Sequence, residues 1–484
     1  MKDFLNNNKY VGFLFFSLPL FILIFYNIFL GPDFWFLISH GRYVINHGIP
    51  HTDFLSMHSN LHFVMQQWLS ATIFYLLYHY LGRFGIMFLC LTMTSLYLFV
   101  IYKICMLLSD KKFLLSTILS VFTVLLLELN FIIVRPQLFT YLFLLITLYI
   151  MEYFYKNKNS KIIYFMPLIS LLQINFHSAL FFMIYIFMLP YLFCYFLDFI
   201  KNKDKTIFKV LLIMIIMFLV ALINPYKLEA ITYIFKSYGR SDFKDFIVEL
   251  FPTTLSKFTV ISYSFYFVFF SVILIYIYYK KGELKLSHLL LFLGTSILGF
   301  LNVRNIAFFF IGAVPFISSY IKYPFKSKYE DNFKEAYVFY IILFVALTVA
   351  FCFTPKNNTS NLKDGIDYLL KVNKDKNVKI YAGFNYGSYL EYRGLHPYID
   401  SRAEVYFSSI NKKFDYFSEY KQLCDGYIEP KDFLDKYKFK YLVVNKGERL
   451  TKYLIQSGQY TSIYEGDEYI IFEDKPLVMN IFKN

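Results

Sequence analysis

The chain has 484 residues, 57% of them apolar and 17% charged, and its 22% aromatic content comes mainly from Phe 60 and Tyr 45. That composition excludes a soluble globular protein, a disordered chain and a disulfide scaffold. The net charge of +14 does not describe a nucleic-acid binder either, because the lysines sit in short clusters between apolar runs; this is the pattern of a membrane protein that retains basic residues on its cytoplasmic side.

Crossing about 30 Å of hydrocarbon takes roughly 20 apolar residues, and eleven segments, several of them short, are predicted to do so. They run Val11 to Leu30, Phe84 to Leu108, Phe113 to Asn130, Leu138 to Tyr155, Ile162 to Asn175, Leu180 to Phe199, Ile207 to Ile223, Val260 to Tyr279, Leu286 to Leu301, Ile306 to Tyr320 and Ala336 to Phe353. The first follows Lys2 and Lys9, and Gly31-Pro32-Asp33 makes a poor cleavage site, so it is predicted to be a retained helix rather than a signal peptide. With a cytoplasmic N-terminus, eighteen lysines fall in the inner segments, against only Arg135 and Arg304 in the three short outer loops. Trp68 to Leu81 has only 14 residues and is interrupted by His79. Counting it as a crossing would invert every later loop, so it is predicted to be an interfacial helix on the outer face. The first outer loop is then long, 31–83, and a second runs over 224–259.

After Phe353 the composition turns polar for 131 residues, 354–484, which the same count places outside the membrane. Helical patterns cover Leu362 to Val372, Tyr386 to Arg393 and Asn411 to Lys421. Val378 to Tyr381, Tyr441 to Val444 and Glu468 to Phe472 read as strands, the last preceded by a Glu465-Gly466-Asp467 turn. The expected fold is a polytopic α-helical membrane domain, 1–353, followed by a small extracytoplasmic α/β domain. Four of the five cysteines lie in apolar runs, which leaves no disulfide framework and no paired-Cys zinc site.

Polar residues at the edge of a membrane are costly and tend to be functional. On this topology Glu128, Arg135, Asn175, His177, Asn224 and Arg304 fall at the outer ends of different helices, and the outer loops add Asp33, His40, Arg42, His47, His51, Asp53 and Gln67. Each taken singly reads as an interfacial residue in contact with water; the set reads as an outer cavity. Asp33 is either a helix cap or a carboxylate at the membrane surface, where partial burial suits a general base. Asp53, following Pro50, has the same two readings, a turn residue or an acid. His40, His47, His51, His58 and His62, with two carboxylates, offer a candidate divalent-metal set, although their spacing matches no tight ligand motif and interfacial histidines explain them as well. Arg135 and Arg304 place fixed cations suited to a lipid phosphate, or snorkel to ordinary head groups.

The segments Asp33-Phe34-Trp35, Gly41-Arg42, His47-Gly48-Ile49-Pro50, Asp53, Ser56 and Gln67-Trp68-Leu69 together resemble the first outer loop of the GT-C glycosyltransferase superfamily, in particular a protein-mannosyltransferase-like, largely unassigned bacterial branch. Arg135-Pro136, Asn175-Phe176-His177, Asn224-Pro225-Tyr226, Gly387-Ser388-Tyr389-Leu390 and Ile399-Asp400-Ser401-Arg402-Ala403 extend the resemblance over nearly the whole chain. It implies a polyprenyl-phosphate sugar donor in the lipid bilayer and an acceptor glycan, lipid or protein, with transfer on the outer side of the cytoplasmic membrane. Asp33 takes the place of the first-loop catalytic acid and Asp53 that of a second. Glu128, Arg42, His51, Gln67, Asn175 and His177 join Arg135 and Arg304 as substrate-binding candidates. Gln67 stands where the related pattern often has Glu, and Ser401 replaces a common Gly. No cofactor is implied with certainty, and a divalent metal is the one candidate. A non-catalytic membrane scaffold and a transporter or flippase of a lipid-linked glycan are the competing readings.

Overall fold

The computed structural model describes residues 30–110, 113–128, 131–237, 248–253, 260–279, 284–320, 360–373, 375 and 377–475. The predicted spans Val11 to Leu30, but for its last residue, and Ala336 to Phe353 lie outside the described residues, as do the lysine clusters at 111–112, 280–281 and 322–334 and parts of the second outer loop. The protein is mostly helical, and the described residues fall into two compact units, one of 80–231 and 248–320, the other of 30–79, 232–237 and 360–475.

Three described helices in or entering the first unit are long and apolar enough to cross a membrane: Trp68–Leu108, Gln137–Lys156 and Ser178–Asn202. Val303–Gly312 and Val314–Tyr320, bent by 40°, make a fourth if they act together. The sequence predicts one unbroken span there. The break follows from Pro315, which has no N–H to continue the backbone ladder. Shorter apolar helices cover Leu115–Glu128, Lys161–Phe176, Thr206–Ala221, Ile261–Leu274 and Leu286–Leu301. Phe88, Phe193, Leu212, Phe267, Leu274 and Ile297 are exposed on this unit, a surface suited to lipid rather than water.

Polar pairs lock the helices of this unit to one another. The Ser170 hydroxyl donates to Met217 O at 2.8 Å and the Thr253 hydroxyl to Gly299 O at 2.7 Å. Small residues allow the close approaches: a Cβ on Gly312 would lie 2.5 Å from Thr295 Cγ2.

Trp68–Leu108 is two helices joined at Gly82, whose φ of 57° suits a residue without Cβ. The predicted separation of the 68–81 helix from the span after it therefore falls where the chain bends.

In the second unit, β1 Ile380–Ala382, β2 Tyr441–Asn445, β3 Tyr460–Glu465 and β4 Tyr469–Asp474 form one sheet in the order β1-β2-β4-β3. The β1–β2 pair is parallel and the other two are antiparallel. The predicted strands and the helices at Ser360–Val372 and Phe384–Tyr392 are present. The predicted helix Asn411 to Lys421 is instead two, Ser408–Asn411 and Tyr416–Asp425. Lys412 takes the left-handed conformation that ends the first, and the Asp415 carboxylate caps the second by accepting from Ser418 N.

This unit does not follow the boundary drawn at 353/354, because it takes the first-loop segment in with the tail. The helix Pro32–His47 packs on Phe384–Tyr392, with the Trp35 ring 5.0 Å from Tyr389 and 4.7 Å from Tyr392. It also meets the start of the Trp68 helix at Gly41, where a Cβ would lie 2.2 Å from Ala71 O. Farther along, Met57 N donates to Pro397 O and His58 Nε2 lies 2.8 Å from Tyr398 O.

Candidate functional site

In the second unit the first-loop helix begins at Pro32, with Gly31 as its cap residue and no side-chain cap bond. Asp33 is thus not the cap. It lies inside the first turn and is partly exposed.

Asp53 is placed differently. It is buried, and its Oδ1 accepts from Arg402 Nη1 at 2.6 Å, while Oδ2 accepts from Ser56 N at 3.0 Å and the Ser56 hydroxyl at 2.6 Å. Arg402, also buried, grips Asp400 with Nε at 2.9 Å and Nη2 at 2.6 Å and donates to Glu391 Oε1 at 3.0 Å. The Tyr406 hydroxyl donates to Asp400. One cation thus draws together an acid from the first loop and two from the tail, and fork geometry directs each bond.

The protonation states follow from burial and charge. Burial alone would raise the Asp53 carboxyl, but Arg402 and Ser56 hold it below the usual carboxylate range. Asp400, likewise opposed by burial, is held at about 2 by Arg402. Glu391 is pushed well above its ordinary value by burial and by the Asp400 charge, so it stays protonated. His40 Nε2 lies 3.3 Å from Arg402 Nη1. A guanidinium can only donate, so that nitrogen accepts; burial and Arg402 push the ring down to about 3.

The motifs singled out in the tail build this network. Gly387 lets its helix press onto the Asp400 turn, since a Cβ there would lie 2.1 Å from Ile399 O and 2.8 Å from Asp400 Cα. Ser388 Oγ then meets Ser401 Oγ at 2.9 Å.

Just beyond Arg402, Glu404 is only partly exposed, and its Oε1 accepts from Gln66 Nε2 at 3.2 Å. Burial pushes its carboxyl up to about 7; the Asp400 and Asp33 charges push the same way, against the pull of its own backbone N–H and of Arg402. An acid poised near neutrality therefore lies within electrostatic reach of Asp33. Sequence reading missed Glu404 and chose Gln67, whereas the neighbouring Gln66 makes the bond. The only signal was the acid two residues after Arg402.

The other first-loop candidates separate. Arg42 Nη2 makes a 3.4 Å bond to Tyr392 O, His51 is exposed, and the His58 ring stacks on Tyr416. Among the described residues no group of three His, Cys, Asp or Glu is arranged to hold a metal ion.

In the first unit Arg135 Nη1 donates to both oxygens of Glu249 at 2.8 Å. Arg304 acts electrostatically on the same carboxylate and on Tyr141 and His177. The charges of Arg135 and Arg304 thus meet at Glu249, which the sequence did not mark, and His177 lies within electrostatic reach of Arg304. Asn175 spends its amide on Leu171 O and Ile223 O, at 2.9 and 3.1 Å, tying two helix ends. Asn224 closes its own turn through Ala221 O and Lys227 O. Glu128 is buried beside Cys90, and both its oxygens lack a hydrogen-bond partner among the described residues.

Compared with protein-family models and with curated proteins, the chain finds no match.

Proposed function

We propose that the protein is a membrane glycosyltransferase of GT-C type that moves a sugar from a polyprenyl-phosphate donor to an acceptor glycan, lipid or protein. The reading takes the chain as about eleven spans with a cytoplasmic N-terminus, the 68–81 helix lying at the interface and the tail facing outward. One observation carries it: Arg135 and Arg304, from separate helix ends, act on a single carboxylate, Glu249. One cation bonded to an anion, with a second adding its charge there, is an arrangement suited to a leaving phosphate.

In this mechanism Arg135 and Arg304 take up the negative charge that grows on the donor phosphate as the bond to the anomeric carbon breaks. Asp33, partly exposed at a helix start, is the general base of this reading and takes the proton of the acceptor hydroxyl. Phosphate leaves without a proton, so no second carboxyl has to act as general acid, unlike the hydrolysis of a glycosidic bond. Asp53, bound to Arg402, acts as a positioning residue that holds the first loop on the tail.

The test is transfer by the purified full chain across a panel of polyprenyl-phosphate sugars. Asp33→Asn is expected to lose transfer by at least about 100-fold, the usual contribution of a positioned base, with donor binding kept. Full transfer by that variant would remove Asp33 from the reaction. Donors that bind wild type without turnover would favour the scaffold or the transporter.

A further inference from the structure

The helix that follows Arg135 opens with Gln137, and Thr140 lies one turn along the same face. Gln173 reaches across from the helix Met166–Phe176, where its amide nitrogen donates to Thr140 Oγ1 at 3.1 Å and to His177 O at 2.8 Å. Both amide protons are then used, and Gln173 Oε1 is left as a buried acceptor with no partner among the described residues. Thr140 Oγ1, which accepts from Gln173, also lies 3.0 Å from His177 Nδ1. Gln137 Oε1 and Ser178 Oγ are likewise buried and unpartnered among the described residues. All of them lie at the helix ends where Arg304 acts on His177 and Tyr141.

Buried polar atoms are nearly always bonded, and each one that is not costs stability. Three beside one hydrogen-bonded chain and two arginines are best matched by a ligand that brings donors to them. A phosphate brings only acceptors, and a carboxylate would be repelled by the amide oxygens. A hydroxyl-rich, uncharged group both donates and accepts, and so fits two amide oxygens and a serine hydroxyl, and an imidazole in either tautomer.

We propose that Gln137, Gln173 and Ser178, with His177, form the seat for the sugar of the donor and determine which sugar is accepted. This rests on the reading of Arg135 and Arg304 as the phosphate site, and it adds the substrate group bound beside them.

The experiment measures binding of two ligands to the full-length protein in lipid nanodiscs: a polyprenyl phosphate without sugar, and a panel of polyprenyl-phosphate hexoses differing at single hydroxyls. Gln137→Leu is the cleaner variant, since Gln137 makes no side-chain bond among the described residues, and thermal unfolding checks that it folds. Affinity for the sugar-linked ligands is expected to fall about tenfold, with weaker discrimination among hexoses, a loss on the scale of a missing hydrogen bond, while the sugar-free phosphate binds as before. Equal weakening of both ligands, or no change in either, would overturn the sugar seat. The arginines are tested separately with Arg135→Ala and Arg304→Ala: if the sugar-free phosphate binds these variants, or fails to bind wild type, the phosphate reading fails and the seat falls with it.

Discussion

At the scale of single residues, Arg402 has the largest predicted effect. It is one of the largest fully buried side chains, and its partners Asp53, Asp400 and Glu391 are buried with it. Removing one member of a buried ion pair leaves the others uncompensated and costs about 3–5 kcal/mol. Arg402→Met is therefore expected to lower the unfolding midpoint strongly, whereas Asp53→Asn keeps the shape, removes one charge and should lower it less. If Asp53 only positions the loop, Asp53→Asn should lose activity in step with stability and regain it on cooling; loss of transfer with an unchanged midpoint would return Asp53 to the chemistry. Glu404 gives a pH signature. Its folded value of about 7 lies above the ordinary 4.5, so the folded state binds the proton more tightly. That contribution is fully present below about pH 4.5 and is lost as pH rises through 7. His40 and His58, pushed down by burial to about 3 and about 4 from 6.5, act in the opposite sense, because the unfolded chain takes up their protons as pH falls below 6.5. The overlap hides Glu404 in wild type, but the difference between wild type and Glu404→Gln isolates it. That difference should decline from pH 4.5 to 7 and be flat outside the window, as read by denaturant unfolding across pH.

At the scale of elements, Gly387 decides whether the network can form at all. A Cβ placed 2.1 Å from Ile399 O meets backbone, which cannot rotate away. Gly387→Ala should therefore push its helix off the Asp400 turn and destabilise the protein through the same network as Arg402→Met. Combined, the two substitutions should cost less than the sum of each alone, since they break one structure; additive losses would separate them. Periodicity made most elements legible, because apolar runs of the right length and alternating tail segments report directly on local structure. It missed the breaks that single residues impose, such as Pro315 in the 306–320 run and Lys412 with Asp415 in 411–421. It also missed β3, whose exposed residues carry little apolar pattern. The site was legible only where a residue type announces its chemistry. Arg135, Arg304 and His177 were marked because charge and imidazole are conspicuous beside apolar runs. Gln173 and Gln66 were not, since an amide in an apolar helix or a loop gives no sign of which partner it will reach.

At the scale of the whole molecule, the grouping of the first loop with the tail could not be read from the sequence. Asp53 and Arg402 are 349 residues apart, and His58 reaches Tyr398 across 340; no local pattern encodes such pairings. Yet the grouping constrains the proposed orientation. The first loop and the tail belong to one unit, so the proposed topology has to put both on the same side of the membrane, and by the lysine distribution it proposes the outer one. Cys424 tests this. It is the one exposed cysteine among the described residues, with Cys90, Cys105 and Cys194 buried. Partial burial pushes its thiol up to about 11, so the reactive thiolate is scarce at neutral pH and labelling calls for alkaline buffer and long exposure. In intact cells a membrane-impermeant maleimide is expected to label wild type and not Cys424→Ser, the second chain subtracting any signal from other thiols. Labelling only after the cytoplasm is opened would place the tail inside. Because Asp33 belongs to the same unit as Cys424, that result would move the proposed proton transfer to the inner face and overturn a donor approached from outside.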